Sequence, residues 1–142
     1  MAAHETGTRR LLSALGKYGL FEIQTQMKDL LHYGETLMKA VIRRIPDGTY
    51  SFSDCLDNDG IVDKPIQIKV TIQIKGSSVQ VDFSGSDPQC AGSLNAVEPI
   101  TRSAVYYCFL CLLATPSILL ENTIYDPPLN SGCFLPIHVN AP

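Results

Sequence analysis

Apolar and polar positions follow two different rhythms along this chain, and the change of rhythm divides it. Up to about residue 44 the apolar residues recur every three or four positions. Leu11, Leu12 and Leu15 share one side of a helical projection, with Arg9 and Arg10 on the other. That spacing predicts a helix over about residues 5–15, broken near Gly16 to Gly19. Ile23, Met27, Leu30, Leu31, Leu37, Met38, Val41 and Ile42 predict a longer helix over about residues 20–44. Gly34 is a weak point in its middle and costs roughly 1 kcal/mol relative to alanine. Arg43 and Arg44 suit the negative end of the helix dipole, and Pro46-Asp47-Gly48 stops it with turn chemistry.

After Gly48 the period falls to two. Residues 49–56 alternate loosely, and Asp57-Asn58-Asp59-Gly60 is a polar turn. Ile66, Ile68, Val70, Ile72 and Ile74 then alternate strictly with Gln67, Lys69, Thr71, Gln73 and Lys75. This predicts a strand with one face buried and one face wet. Gly76-Ser77 turns the chain into a return strand over residues 79–83. Residues 84–95 are rich in Gly, Ser, Asp and Pro and read as a loop.

From about Ile100 an apolar run continues to Ala114 with hydrophobic residues around much of its circumference, which predicts a buried helix. Thr115-Pro116 ends it. Residues 117–132 look irregular, because Pro127-Pro128 forbids regular pairing. Residues 134–139 could form a last strand. The expected class is α+β: a helical N-terminal hairpin (1–45), a central antiparallel sheet with its loop (46–95), and a buried helix, loop and final strand (96–142). The chain reads as one partial domain.

Composition narrows the function classes. With 142 residues the chain can bury a real core. Its net charge of -3, without a basic block, argues against nucleic acid as a partner. The longest strongly apolar stretch, residues 104–114, is too short to span a bilayer. Cys55, Cys90, Cys108, Cys111 and Cys133 show no repeated spacing, and the N-terminus lacks a secretory pattern. Reduced thiols in a cytoplasmic protein are the simplest expectation.

Local motifs each have a plain structural alternative. Cys108-Phe109-Leu110-Cys111 has redox or zinc spacing, but it lies inside an apolar helical run with no second Cys/His pair. Buried core thiols are the better reading. Asp57-Asn58-Asp59-Gly60, flanked by Asp54 and Asp63, lacks the ligand order of a calcium loop and any closing Glu. No metal site is expected in this chain. Ser84-Gly85-Ser86 follows a strand and could cradle an anion, yet it lacks the Lys of a P-loop and the three glycines of a dinucleotide loop. His4, His32 and His138 are isolated, so no nucleophilic triad can be argued and the catalytic residues stay unknown. Asn95 and Arg102 are the stronger polar candidates, against loop-fixing and ion-pairing alternatives.

Taken in order, several motifs form a signature. They are Gly7-Thr8-Arg9-Arg10-Leu11-Leu12 with Tyr18-Gly19, Pro46-Asp47-Gly48-Thr49-Tyr50-Ser51-Phe52-Ser53-Asp54, and the acidic turn Leu56-Asp57-Asn58-Asp59-Gly60. Val81-Asp82-Phe83-Ser84-Gly85-Ser86, Asn95, Thr101-Arg102-Ser103-Ala104 and Asn130-Ser131-Gly132-Cys133-Phe134 follow. The series resembles the B-type subunit of the hydantoinase/5-oxoprolinase family, which is related to ketone carboxylase subunits. The resemblance covers nearly the whole chain.

That family is ATP-dependent and opens cyclic amides such as hydantoins or 5-oxoproline. The resemblance implies an A-type partner subunit in a hetero-oligomer, with ATP handled by that partner and a divalent metal in the complete enzyme. No cofactor is expected in this chain itself. The family's upstream His/Asp metal-binding region and its glycine-rich C-terminal portion have no counterpart here, and residues 114–126 make a longer link than usual. The chain is therefore expected to be an internal segment of a larger subunit, inactive alone. Ser84, Gly85, Ser86, Asn95 and Arg102 are the expected substrate-binding residues. Two alternatives stand beside this: a non-catalytic assembly module that docks a partner subunit of a carboxylase-like complex, and, more weakly, a cysteine-based redox or metal module.

Overall fold

The two rhythms become, in chain order, helices α1 (Ala2–Tyr18) and α2 (Leu20–Ile42), strands β1 (Gly48–Leu56), β2 (Ile66–Lys75) and β3 (Ser78–Asp82), helix α3 (Glu98–Leu113), a short 3-10 turn (Ser131–Phe134) and strand β4 (Ile137–Asn140). The computed structural model describes residues 2–113 and 129–142. The expected helix end at Thr115-Pro116 and the irregular path through Pro127-Pro128 lie outside the described residues. No described helix is long and apolar enough to cross a membrane.

Helix α1 runs through Gly16 and stops only at Gly19, whose φ of 82° lies in the left-handed region. A helical glycine costs stability without forcing a break, whereas positive φ forces one. The two helices share few contacts, and Leu11, Leu12, Leu20 and Phe21 stay exposed. The C-terminal half of α2 is different: Met38, Val41 and Ile42 are fully buried. Helix α3 starts at Glu98 with Pro99 next, a position where a missing N–H goes unnoticed.

The sheet has the order β1-β2-β3-β4. The expected antiparallel arrangement holds over β1, β2 and β3, with Phe52 opposite Val70 and Ile72 opposite Val81. The fourth strand makes the sheet mixed: β4 lies parallel to β3, with Val79 opposite Ile137 and Val81 opposite Val139. It also begins later than expected, because residues 131–134 coil into the 3-10 turn and Pro136 follows. Paired residues point to the same side of a sheet. Tyr50, Phe52, Leu56, the β2 isoleucines, Val79, Val81 and Ile137 therefore share one apolar face, and Ser51, Lys69, Thr71, Gln80 and His138 share the polar one.

Cover over the apolar face is uneven. Met38, Val41 and Ile42 of α2 and Val105, Phe109 and Leu113 of α3 pack on Ile74, Val79, Val81 and Ile137. Ile74 is 5% exposed, but Ile68, on the same stripe, is 43% exposed and Phe52 is 69% exposed. The strand expected to be buried along one face is thus buried at one end. Helix α3, expected to be buried because it is apolar around much of its circumference, is buried along Val105, Phe109 and Leu113 and leaves Tyr107, Cys108 and Cys111 accessible.

A latch ties the C-terminal part to α2. Asn130 caps the 3-10 turn by accepting from the Gly132 N–H at 2.8 Å, and its amide donates to the Leu30 carbonyl at 3.1 Å. Gly34 faces this turn so closely that a Cβ there would sit 2.7 Å from Asn130 Oδ1 and 3.0 Å from Cys133 Sγ. The supposed weak point of α2 is where the turn docks. Gly132 is tighter still, since a Cβ would lie 1.9 Å from the Leu31 carbonyl oxygen.

Candidate functional site at the open end of the sheet

The Ser84-Gly85-Ser86 loop spends its polar groups on the protein. The Ser84 hydroxyl donates to Asp82 at 2.7 Å and its N–H donates to the same carboxylate at 3.1 Å. Asn140 adds a third donor to Asp82 at 2.8 Å. These donors, the Ser84 hydroxyl foremost, hold the Asp82 carboxyl below its ordinary value. Ser86 accepts from the Lys69 N–H at 3.0 Å and donates to the Lys69 carbonyl at 3.1 Å, extending the ladder beside β2. Asp87 continues it, accepting from the Gln67 N–H at 2.8 Å. The Ser86 N–H donates to the Phe83 carbonyl. The Ser84 and Ser86 amides are thus engaged within the protein, with the Asp82 carboxylate beside them.

The acidic turn and the loop before α3 form one clasp. Asp59, 8% exposed, accepts from the N–H groups of Ile61 at 2.9 Å, Val62 at 2.6 Å and Gly92 at 3.0 Å. The Val62 and Ile61 donors lead in lowering its pKa, with Gly92 adding to them. The clasp leaves no room at Gly92: a Cβ there would lie 2.1 Å from the Asp59 carbonyl oxygen. Asn95 closes the other end. Its Oδ1 accepts from the Cys90 N–H at 3.0 Å, while its amide donates to the carbonyls of Cys90 at 2.8 Å and Gly92 at 3.0 Å. Arg102 pairs with Glu98 one turn earlier, and Glu98, then Tyr106, raise its pKa.

What these loops enclose is a cavity of about 860 Å³. Its floor is the open stretch of β2, from Ile66 to Ile72. One wall is α3, where Ile100, Ala104 and Cys108 recur every four residues. The other is the loop from Ser86 to Val97. Of the five expected binding residues, Ser86 and Asn95 border this cavity, whereas Ser84, Gly85 and Arg102 do not. Cys90, Thr101 and Cys108 border it too. Cys108 was expected to be a buried core thiol and none of the three was expected at a binding site, although the spacing of residues 100, 104 and 108 marks one helical face. Among the described residues no group of three or more His, Cys, Asp or Glu side chains could hold a metal ion. The donor set here does not fit a divalent metal, and no step is routed through one.

The hydantoinase B/oxoprolinase family model matches residues 1–142. The chain belongs to the hydantoinase B/oxoprolinase family. Among members of this family, it is 34% identical to the putative B-type subunit of a D-/L-hydantoinase from Pseudomonas sp. (strain NS671), over its full length and 24% of that protein. It is 28% identical to 5-oxoprolinase 1 from Arabidopsis thaliana, again over its full length but over 11% of that protein. The crystal structure of the ATP-dependent caprolactamase from Pseudomonas jessenii superposes with a TM-score of 0.78 at 24% identity, over 97% of this chain and 22% of that one. The chain thus spans about a quarter or less of the relatives it matches, and the last comparison establishes a shared fold.

Proposed function

We propose that this chain serves as part of the B-type subunit of an ATP-dependent hydrolase that opens cyclic amides. The observation that carries the proposal is the family match along all 142 residues. Relatives named for hydantoin, 5-oxoproline and caprolactam add support, because these compounds share an amide inside a ring. Hydrolysis adds one water across the ring C–N bond. In this proposal an A-type partner binds ATP, and the B-type chain supplies a surface that holds the ring. The open-end cavity is the concave apolar place in the described chain suited to that task.

The expected substrate contacts divide accordingly. Ser86 and Asn95 border the cavity and fix its rim, while Ser84, Gly85 and Arg102 hold local structure. Reconstitution tests the proposal. The protein is combined with the A-type subunit, and ATP-dependent opening of hydantoin, 5-oxoproline and caprolactam is measured. Turnover that needs both components supports it; turnover by the partner at the same rate without this chain rejects it.

A second reading has its own observation. Phe21, Phe52 and Leu20 are large apolar side chains left in solvent, as on a surface made to be covered by a partner. On that reading the chain is an assembly module with no contact to the ring. Stable binding to the partner with turnover indifferent to every cavity substitution distinguishes it.

A further inference from the structure

The lining of the open-end cavity has a charge character that restricts its occupant. Resting on the proposal that this chain holds a cyclic amide, we infer that the cavity admits an uncharged ring carrying a bulky apolar substituent and turns away a ring that bears a carboxylate. Ile68, Val70, Ile100, Ala104, Cys108 and Phe109 present hydrocarbon and thiol surface to it. Among the described lining residues none is Lys or Arg, and Asp87 is the one side chain charged at neutral pH. Residues 114–128, outside the described set, contain no lysine or arginine in sequence.

The polar groups at the rim offer an anion little. Asn95 directs its amide to the Cys90 and Gly92 carbonyls, and the Ser86 hydroxyl donates to the Lys69 carbonyl. The Asp87 carboxylate accepts from the Gln67 N–H. A carboxylate entering here would lose water without gaining a cation, and would meet a like charge. An uncharged ring meets no such cost. The volume of about 860 Å³ lies near the upper end of ligand pockets, so a small bare ring leaves much of it unfilled. A ring with an aryl or long alkyl arm covers the Ile68, Val70 and Phe109 surface as well.

Cys90 and Cys108 border the cavity, and Cys55, on the polar face of β1, does not. The three are free thiols and serve as built-in reporters. The test measures iodoacetamide labelling of each thiol by mass spectrometry, with a titration of 5-benzylhydantoin or of 5-oxoproline. The expected result is that 5-benzylhydantoin slows labelling of Cys90 and Cys108, by about tenfold once it reaches roughly ten times its Kd. Cys55 should keep its rate, and 5-oxoproline should change none of the three. Ala104→Lys, which sets a cation on the α3 wall, should make 5-oxoproline protective. Protection by 5-oxoproline in the unaltered protein equal to that by 5-benzylhydantoin overturns the charge selectivity. No protection by either compound overturns the cavity as a ring site, while the subunit assignment is still decided separately by reconstituted turnover.

Discussion

The two ends of strand β2 carry the same side-chain pattern and have different fates. Around Ile74 the sheet lies under α2 and α3, with Met38, Ile42, Val79 and Leu113 fully out of solvent. Around Ile66 and Ile68 the sheet and α3 diverge and enclose a cavity. Alternation in sequence states which face of a strand is apolar; it does not state how far along that face the cover extends. The closed end holds the fold together. The open end leaves apolar surface uncovered, Ile68 and Phe52 included.

The largest expected effect tests this contrast directly. Ile74→Ala should cost about 2–5 kcal/mol in denaturant unfolding, as large-to-small changes in a packed core do. Ile68→Ala should cost roughly 1 kcal/mol or less, because much of that side chain already meets water. Equal losses would erase the distinction between the ends.

The latch between α2 and the 3-10 turn gives a test of sign. Gly34→Ala should destabilise by about 1–3 kcal/mol, since the new methyl group collides with Asn130 and Cys133. Without the latch the same change would stabilise α2 by about 1 kcal/mol. A rise in midpoint would therefore remove the latch from the account. Asn130→Ala should cost about 1 kcal/mol through loss of the cap, with a smaller addition from the freed Leu30 carbonyl.

The smallest expected effect concerns the clasp at the cavity rim and depends on pH. Backbone donors hold the folded Asp59 carboxyl below its ordinary 3.8. Its contribution to stability is whole above that value and is lost as pH falls from there through the lowered folded value. Asp59→Asn should lower the melting temperature at neutral pH, and the gap to the unaltered protein should narrow on acidification below pH 3.8. A gap constant with pH would mean that the charge contributes nothing.

Much of the fold was legible because single segments specify it. The period of α2, the strict alternation of β2 and the Gly76-Ser77 turn are local signals, and each element stands where its pattern placed it. The parallel pairing of β4 with β3 was not legible, because it joins residues almost sixty positions apart with no turn to mark it. Gly34 looked like a flaw while its partner, Asn130, lay far along the chain. The candidate residues show the same limit. Asn95 and Arg102 stood out for their chemistry, yet their partners, Cys90, Gly92 and Glu98, hold them in local structure. The cavity is a property of elements that diverge in space, and no one segment records it.

The most direct test of the account is ATP-dependent ring opening by the reconstituted enzyme when the open end is filled. Ala104→Trp places an indole on the α3 wall of the cavity, and Gln73→Trp places one on the polar face of β2. The account predicts at least a tenfold loss of turnover for the first, with partner binding retained, and little change for the second. Full turnover by the Ala104→Trp enzyme would contradict it.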